Sequence, residues 1–253
     1  MPRALLRKFQ KRKAKPRYAV PPGVRVYAIG DVHGCLDELN RVLEAIDQDV
    51  GSHRGKSELV FLGDLVDRGP QSAEVIERIL GGGLPTDSSA VIMGNHEQAM
   101  LECYRGGVAT YGSWLQFGGV QTLESYGLGR EEIFAPTFDL AAAMRKSIPP
   151  MHIQFLVSLK DYVRHGDYVF VHAGIRPGVS LEDQSARDLR WIRREFLEDT
   201  TDHGFMVVHG HSIVPKVEFR ENRIALDTGC YLTGQLSALS IENDTVKILT
   251  VNS

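Results

Sequence analysis

The sequence has few cysteines and no long hydrophobic run. Its three cysteines, Cys35, Cys103 and Cys230, are odd in number, far apart and outside any CxxC pair. This argues against a disulfide framework and against a cysteine-rich zinc site. No apolar run approaches the roughly 18 residues that a membrane-spanning helix requires, so we expect no transmembrane segment. The scarcity of cysteine favours a reducing compartment, and we predict a cytoplasmic protein.

Acidic side chains are absent from residues 1–17, which contain eight Lys or Arg residues. The rest of the chain holds 21 basic and 32 acidic residues, so its net charge is near -11. We predict that residues 1–20 form a disordered basic tail able to contact an anionic surface. Residues 21–253 are predicted to fold as a single domain. The acidity of this domain argues against specific binding of nucleic acid.

Short apolar runs rich in Val, Ile, Phe and Tyr predict buried strands. They lie at residues 24–29, 58–62, 90–93, 167–171, 205–208, 223–226, 237–241 and 246–251. The first three alternate with amphipathic helical patterns at 35–48 and 72–80, the second of which Ser72 is predicted to cap. This alternation predicts an α/β fold with parallel neighbouring strands. The closely spaced later strands predict hairpins, and so a mixed sheet or two sheets packed face to face.

The segment 98–160 has helical patterns and no convincing strand. It separates two parts of the chain in which polar residues follow predicted strands. We therefore interpret it as a helical insertion or cap beside a functional site.

Polar residues that can bind metal or phosphate follow the strands. In chain order they are Asp31, His33, Asp64, Asp67, Arg68, Asn95, His96, Glu97, His172, His209 and His211. Ligands of α/β folds collect outside the carboxyl ends of strands, so these side chains are expected to meet in one site. Small residues at Gly30, Gly63 and Gly94 allow the backbone to turn sharply and approach that site.

These residues supply carboxylate, amide and imidazole donors without a thiolate, a set that suits Mn²⁺, Fe or Zn²⁺. They are too many for one ion with open positions. Two ions roughly 3.5–4 Å apart, bridged by a carboxylate such as Asp64, could activate a water for attack on phosphorus. Arg68 is a fork-shaped donor matched to phosphate. His96 is expected to act as general acid, oriented by Asp67.

The motifs GDVHG, GDLVDRG, GNHE, HAG and GH, in this order, resemble the metallophosphoesterase superfamily. The Asp67-Arg68 pair and the GNHE motif resemble its phosphoprotein phosphatase family, in the form of small bacterial and phage members such as bacteriophage lambda phosphatase. The resemblance covers about residues 24–251. It implies a central β-sandwich of mixed sheets flanked by helices, with two metal ions at one edge and a single catalytic domain.

The resemblance also implies roles for particular residues. The first ion would take Asp31, His33 and Asp64, and the second would take Asp64, Asn95, His172 and His211. Phosphate would be bound by Arg68, Asn95, His96 and Arg193 of the DLRWIRREF segment, although Arg193 and Arg194 could both lie on a solvated helix face. The family pattern Gly-His-Ser fits residues 210–212, so His209 is expected to support the site or to pack.

The resulting prediction is a serine/threonine protein phosphatase, in which a metal-activated water directly attacks a phosphorylated protein or peptide. The cofactor is expected to be two divalent ions, Mn²⁺ first, with Fe, Zn²⁺ and Mg²⁺ as alternatives. The alternative function is a symmetrical bis(5'-nucleosyl)-tetraphosphatase, which needs a nucleoside pocket from segment 98–160. A scaffold without turnover is disfavoured, since Asp67, Arg68 and His96 are all present.

Overall fold

The computed structural model describes residues 18–135 and 138–252. Residues 1–17 of the predicted basic tail lie outside the described residues. Its last three residues, 18–20, contact the domain, because the Val20 amide donates to the Asn243 carbonyl (2.9 Å) and the Ala19 carbonyl accepts from the Asp167 amide (2.9 Å).

In residues 18–135 and 138–252, ten strands form two five-stranded sheets. They are β1 (Val24–Ile29), β2 (Lys56–Phe61), β3 (Ser88–Val91), β4 (Tyr162–His165), β5 (Tyr168–Val171), β6 (Met206–His209), β7 (Glu218–Phe219), β8 (Arg223–Ala225), β9 (Gln235–Glu242) and β10 (Thr245–Asn252). The first sheet has the order β10-β9-β1-β2-β3 and the second the order β4-β5-β6-β8-β7. In each sheet three strands are parallel, β1-β2-β3 and β5-β6-β8, and the other pairs are antiparallel.

The predicted α/β class with mixed sheets is confirmed, and β1 has the predicted bounds. Strands β4 and β7 were not predicted from the sequence. Both are edge strands that pair with a single neighbour, and their side chains are half-buried or exposed. A strand with no buried face needs no apolar alternation, so the hydrophobic pattern could not reveal these two.

Helices cover the outer faces of both sheets. They are α1 (Leu36–Val50), α2 (Ser72–Leu80), α3 (Asn95–Tyr104), α4 (Val108–Trp114), α5 (Val120–Ser125), α6 (Arg130–Ile133), α7 (Leu140–Ser147), α8 (Pro150–Val157), α9 (Ala186–Trp191), α10 (Arg194–Leu197) and α11 (Cys230–Thr233). A π-helical turn at Leu115–Gly119 joins α4 to α5, and a 3-10 turn lies at Leu181–Asp183. Within residues 18–135 and 138–252, every helix falls short of the length and apolar character needed to cross a membrane.

The alternation of side chains along the strands divides the core into layers. Val26 and Ala28 of β1 point into the core between the two sheets, which also contains Phe170 of β5. Tyr27 and Ile29, the intervening residues, point to the opposite face and pack against α1 and α2. The strand ends that carry the polar motifs are thus held by buried residues on both faces.

Ser72 does not cap α2, contrary to the prediction. It is the first residue of the helix, and Gln71 occupies the cap position. The Ser72 hydroxyl is buried and accepts from the Asp67 amide at 3.0 Å. The Ser72 hydroxyl therefore holds the loop that follows β2 and does not cap the helix.

Candidate metal centre

The loops that follow β1, β2, β3, β5 and β6, called here the strand-end loops, meet at one edge of the two sheets. Their backbone is unusual. Six non-glycine residues in the described chain have positive φ, and five of them are His33, Asp64, Asp67, Arg68 and His211. Such conformations are uncommon for residues with a Cβ and collect at functional sites.

Asp64 lies between two groups of buried histidines. On one side are His33 and His96, whose Nε2 atoms lie 3.6 and 3.9 Å from Asp64 Oδ2. On the other is His172, whose Nε2 atom lies 3.4 Å from the same oxygen and 3.2 Å from His211 Nδ1. In each group the potential ligand atoms lie within 4.8 Å of one another. The Asp64 carboxylate is therefore shared by two candidate metal-binding groups.

Asn95 lies in the second group, since its Oδ1 atom is 2.9 Å from His172 Nε2. His33 and His172 each turn their Nδ1 atoms to a backbone carbonyl, those of Val66 and Leu62, at 2.9 Å. A histidine Nδ1–H bonded to a carbonyl directs Nε2 toward a metal.

Asp31 contacts the loop that carries His211. Its Oδ2 atom accepts from the His211 amide at 2.9 Å. A Cβ at Gly210 would collide with Asp31 Oδ1, so only glycine permits this approach. Burial and the neighbouring Asp227 carboxylate raise the pKa of Asp31 well above its usual range. A third acidic group, Asp227, thus faces the same site.

The residues present fit divalent ions. Among the described residues, the buried atoms Asp31 Oδ1 and His211 Nε2 have no hydrogen-bond partner. Buried polar atoms rarely lack a partner, and a cation would supply one. The donors are carboxylate, amide and imidazole groups, as Mn²⁺, Fe and Zn²⁺ prefer.

Glu97 holds the Asp64 loop. Its fully buried carboxylate accepts the amides of Asp64 and Gly94 at Oε2 (both 2.9 Å) and those of Leu65 and Val66 at Oε1 (2.6 and 3.2 Å). Burial and the Asp64 charge raise the pKa of Glu97 to about 7. This single side chain joins the start of α3 to the loop after β2.

His96 lies between an acidic and a basic side chain, those of Asp67 and Arg68. Its Nδ1 atom is 2.7 Å from Asp67 Oδ2, and its Nε2 atom is 3.2 Å from Arg68 Nη2. Burial opposes protonation, but the Asp64 charge and the Asp67 hydrogen bond raise the pKa of His96. Asp67 is itself held by Trp114 Nε1 (2.9 Å) and Thr122 Oγ1 (2.6 Å).

Arg68 connects the strand-end loops to an adjacent cleft. Its Nη1 atom donates to the Tyr231 hydroxyl at 2.6 Å, and its guanidinium lies 4.6 Å from the centre of the Tyr231 ring. A cleft of about 690 Å³ opens beside both residues. Residues 112–134, called here the helical wall, form its opposite side.

The remaining predicted residues lie farther out. Arg193 is exposed, and its charge helps lower the pKa of His211, after burial and His172, to about 2. It therefore lies at the rim near the second group. Arg194 pairs with Glu198 on the surface. His209 is buried against Phe196, with ring centres 5.1 Å apart, and lies outside both metal-binding groups.

The sequence motifs indicate no role for Asp227, Trp114, Thr122 or Tyr231. Asp227 begins the segment DTGC at residues 227–230, and Tyr231 directly follows it. Trp114 and Thr122 lie in helices whose patterns show burial and nothing of a polar contact. The three cysteines, all in the described part of the chain, are buried and form no disulfide.

Residues 24–244 match the family model described as calcineurin-like phosphoesterase. A relative from Methylococcus capsulatus, named bis(5'-nucleosyl)-tetraphosphatase, symmetrical, is 37% identical over 162 residues. That match covers 64% of this chain and 47% of the relative, so the chain matches about half the length of that protein. A Bacillus subtilis relative, named bis(5'-nucleosyl)-tetraphosphatase PrpE [asymmetrical], is 28% identical over 242 residues, covering 87% of this chain and 92% of that protein.

Among solved structures, the chain is similar to a crystal structure of a provisionally assigned diadenosine tetraphosphatase. The TM-score is 0.61 and the identity 23%, with coverage of 92% of this chain and 98% of the other. This likeness supports the fold: two mixed sheets packed together and flanked by helices.

Proposed function

The chain belongs to the calcineurin-like phosphoesterase family, and from this membership we propose that it is a metal-dependent hydrolase of bis(5'-nucleosyl) tetraphosphates. The names of the relatives support this alternative over the protein phosphatase first predicted from the sequence. One structural observation carries the proposal. Arg68, the expected phosphate ligand, faces both the buried metal-binding groups and a cleft large enough for more than a phosphate group.

We propose that two divalent ions are held by the residues around Asp64. His33 and Asp64, with Asp31 alongside, would hold one, and Asp64, Asn95, His172 and His211 the other. Mn²⁺ is the first choice, with Fe, Zn²⁺ and Mg²⁺ as alternatives, since oxygen and imidazole donors are common to all these sites. When bound, such ions lower the pKa of water and neutralise phosphate charge.

The charged side chains around Asp64 have separate tasks in the proposed reaction. Arg68 donates to the oxygens of the phosphate under attack, and the Tyr231 hydroxyl keeps its guanidinium in place. Arg193, at the rim, attracts the polyphosphate chain. Water adds to phosphorus, the bridging P–O bond breaks, and the departing phosphate oxygen takes its proton from His96 Nε2. Asp67, bonded to Nδ1, favours the imidazolium that gives this proton.

A competition between substrates tests the proposal. The full chain, supplied with Mn²⁺, is given diadenosine tetraphosphate and, separately, a phosphoserine peptide, and kcat/KM is measured for each. We expect the dinucleotide to be the better substrate. Two ADP molecules would indicate symmetrical cleavage, whereas AMP with ATP would indicate asymmetrical cleavage. Rapid release of phosphate from the peptide with an intact dinucleotide would return the protein phosphatase to first place.

A further inference from the structure

The cleft beside Arg68 has a size and composition that the phosphate chemistry does not need. Its volume of about 690 Å³ lies within the roughly 300–1,000 Å³ of small-molecule sites. Besides Arg68 and Tyr231 it is lined by the aromatic rings of Phe117 and Phe134. A single phosphate group would occupy only a small part of it.

Phe117 and Phe134 are exposed for 62% and 60% of their surface. Neither ring belongs to a hydrophobic core cluster of the described residues. The two rings therefore contribute little to the hydrophobic core. Exposed aromatic rings bind nucleobases by stacking, because every base presents a π-face.

The backbone places these rings next to the phosphate site. Phe117 lies in the turn Leu115–Gly119, where the non-helical backbone of Gly118 makes a kink between α4 and α5. The next residue, Gly118, has φ of 115° and accepts the Arg68 amide at 3.2 Å. A Cβ on Gly118 would collide with the Arg68 backbone. The turn therefore fixes Phe117 at a set distance from the phosphate-binding arginine.

We propose that this cleft is a nucleoside subsite, in which a base stacks on Phe117 and Phe134 while Arg68 binds the adjoining phosphates. The occupant is the nucleoside end of a dinucleoside polyphosphate, and this inference rests on the proposed function. Charge supports the choice, because Arg68 and Arg130 line the cleft and complement a polyphosphate. The amides of Gln116 and Gln121, also in the lining, can bond the edges of a base or the ribose.

The test compares wild type with the double variant Phe117→Ala/Phe134→Ala, using the full chain with Mn²⁺. KM is measured for diadenosine tetraphosphate and for inorganic tripolyphosphate, which has no base. We expect the ratio of the two KM values to change by about five- to 150-fold against the dinucleotide. Phe219→Ala removes an exposed ring from β7 and should leave both values unchanged, whereas Phe117→Tyr should retain stacking.

A second measurement separates failure of this subsite from failure of the proposed function. Binding of adenosine, which has no phosphate to cleave, is followed by saturation-transfer NMR. Cleavage of the dinucleotide with an unaltered KM ratio in the double variant would overturn the subsite and leave the function standing. If the wild type does not cleave the dinucleotide, but binds adenosine and loses that binding in the double variant, the subsite stands and the proposed function is overturned. Equal adenosine binding by both proteins would also overturn the subsite.

Discussion

The strand-end loops and the helical wall face the same cleft but differ in construction. The loops bury polar groups such as Asp64 and His33, and hold both residues in backbone conformations with positive φ. The helical wall exposes Phe117 and Phe134. Its Trp114 and Thr122 side chains donate hydrogen bonds to the Asp67 carboxylate. Cleavage of the phosphate bond needs catalytic groups that are fixed in position and shielded from water. The exposed side chains of a substrate-binding surface can differ between proteins that bind different substrates. We therefore expect substitutions to lose effect from the loops toward the wall.

The largest effect is expected at the shared carboxylate. Asp64→Asn removes a negative charge that faces both histidine groups, so affinity should fall for both ions and turnover should be nearly abolished. Metal analysis of the purified variant, beside its hydrolysis rate, checks this. A full complement of two ions per chain would contradict a shared ligand.

His96→Ala removes the proton donor and leaves the proposed ligands in place. Turnover should fall by about 10²–10⁴-fold, with metal content unchanged. Steady-state kinetics with metal analysis measures both. Near-normal turnover would remove His96 from the reaction.

Glu97→Gln weakens the hold on the Asp64 loop without touching the substrate. One buried acceptor oxygen becomes an NH₂ group facing backbone amides, so we expect a loss of metal affinity of about 10–100-fold. Titration of the metal-free protein measures it. Glu44→Gln, on the exposed face of α1, is the matched control and should bind metal normally.

Asp67→Asn tests the residue where the two regions join. The Asp67 carboxylate helps to raise the pKa of His96 through its hydrogen bond to Nδ1, so its removal should lower that pKa. His96 must be protonated to act as an acid, and the alkaline limb of the kcat profile should move to lower pH. A profile of unchanged shape with a uniformly lower rate would limit Asp67 to a structural role.

The smallest effect is expected within the wall. Thr122→Val leaves the buried Oδ1 atom of Asp67 without a hydrogen bond, while the Asp67 amide keeps its bond to the Ser72 hydroxyl. Unfolding free energy should fall by about 1–3 kcal/mol, measured by urea denaturation. Thr86→Val, at an exposed hydroxyl, is the control. An effect on turnover as large as that of His96→Ala would break the contrast between wall and loops.

Much of the fold could be predicted because burial leaves a periodic mark. The helix predicted at 72–80 has those bounds as α2, since its apolar residues recur at helical spacing, and β1 has its predicted bounds, since it is a short apolar run. The edge strands β4 and β7 leave no such mark. The choice of Ser72 as a cap failed because propensity alone cannot show that its hydroxyl turns toward Asp67.

The residue pattern alone predicts which donors are available, and that they follow strands whose carboxyl ends converge. The position of Asp64 between two histidine groups, and the support of its loop by Glu97, depend on how distant segments pack. The same holds for Arg68, whose partner Tyr231 is 163 residues away. A sequence motif describes only residues that are close together in the chain. Shared ligands, strained backbone and the cleft arise where distant segments pack, and no local pattern encodes that contact.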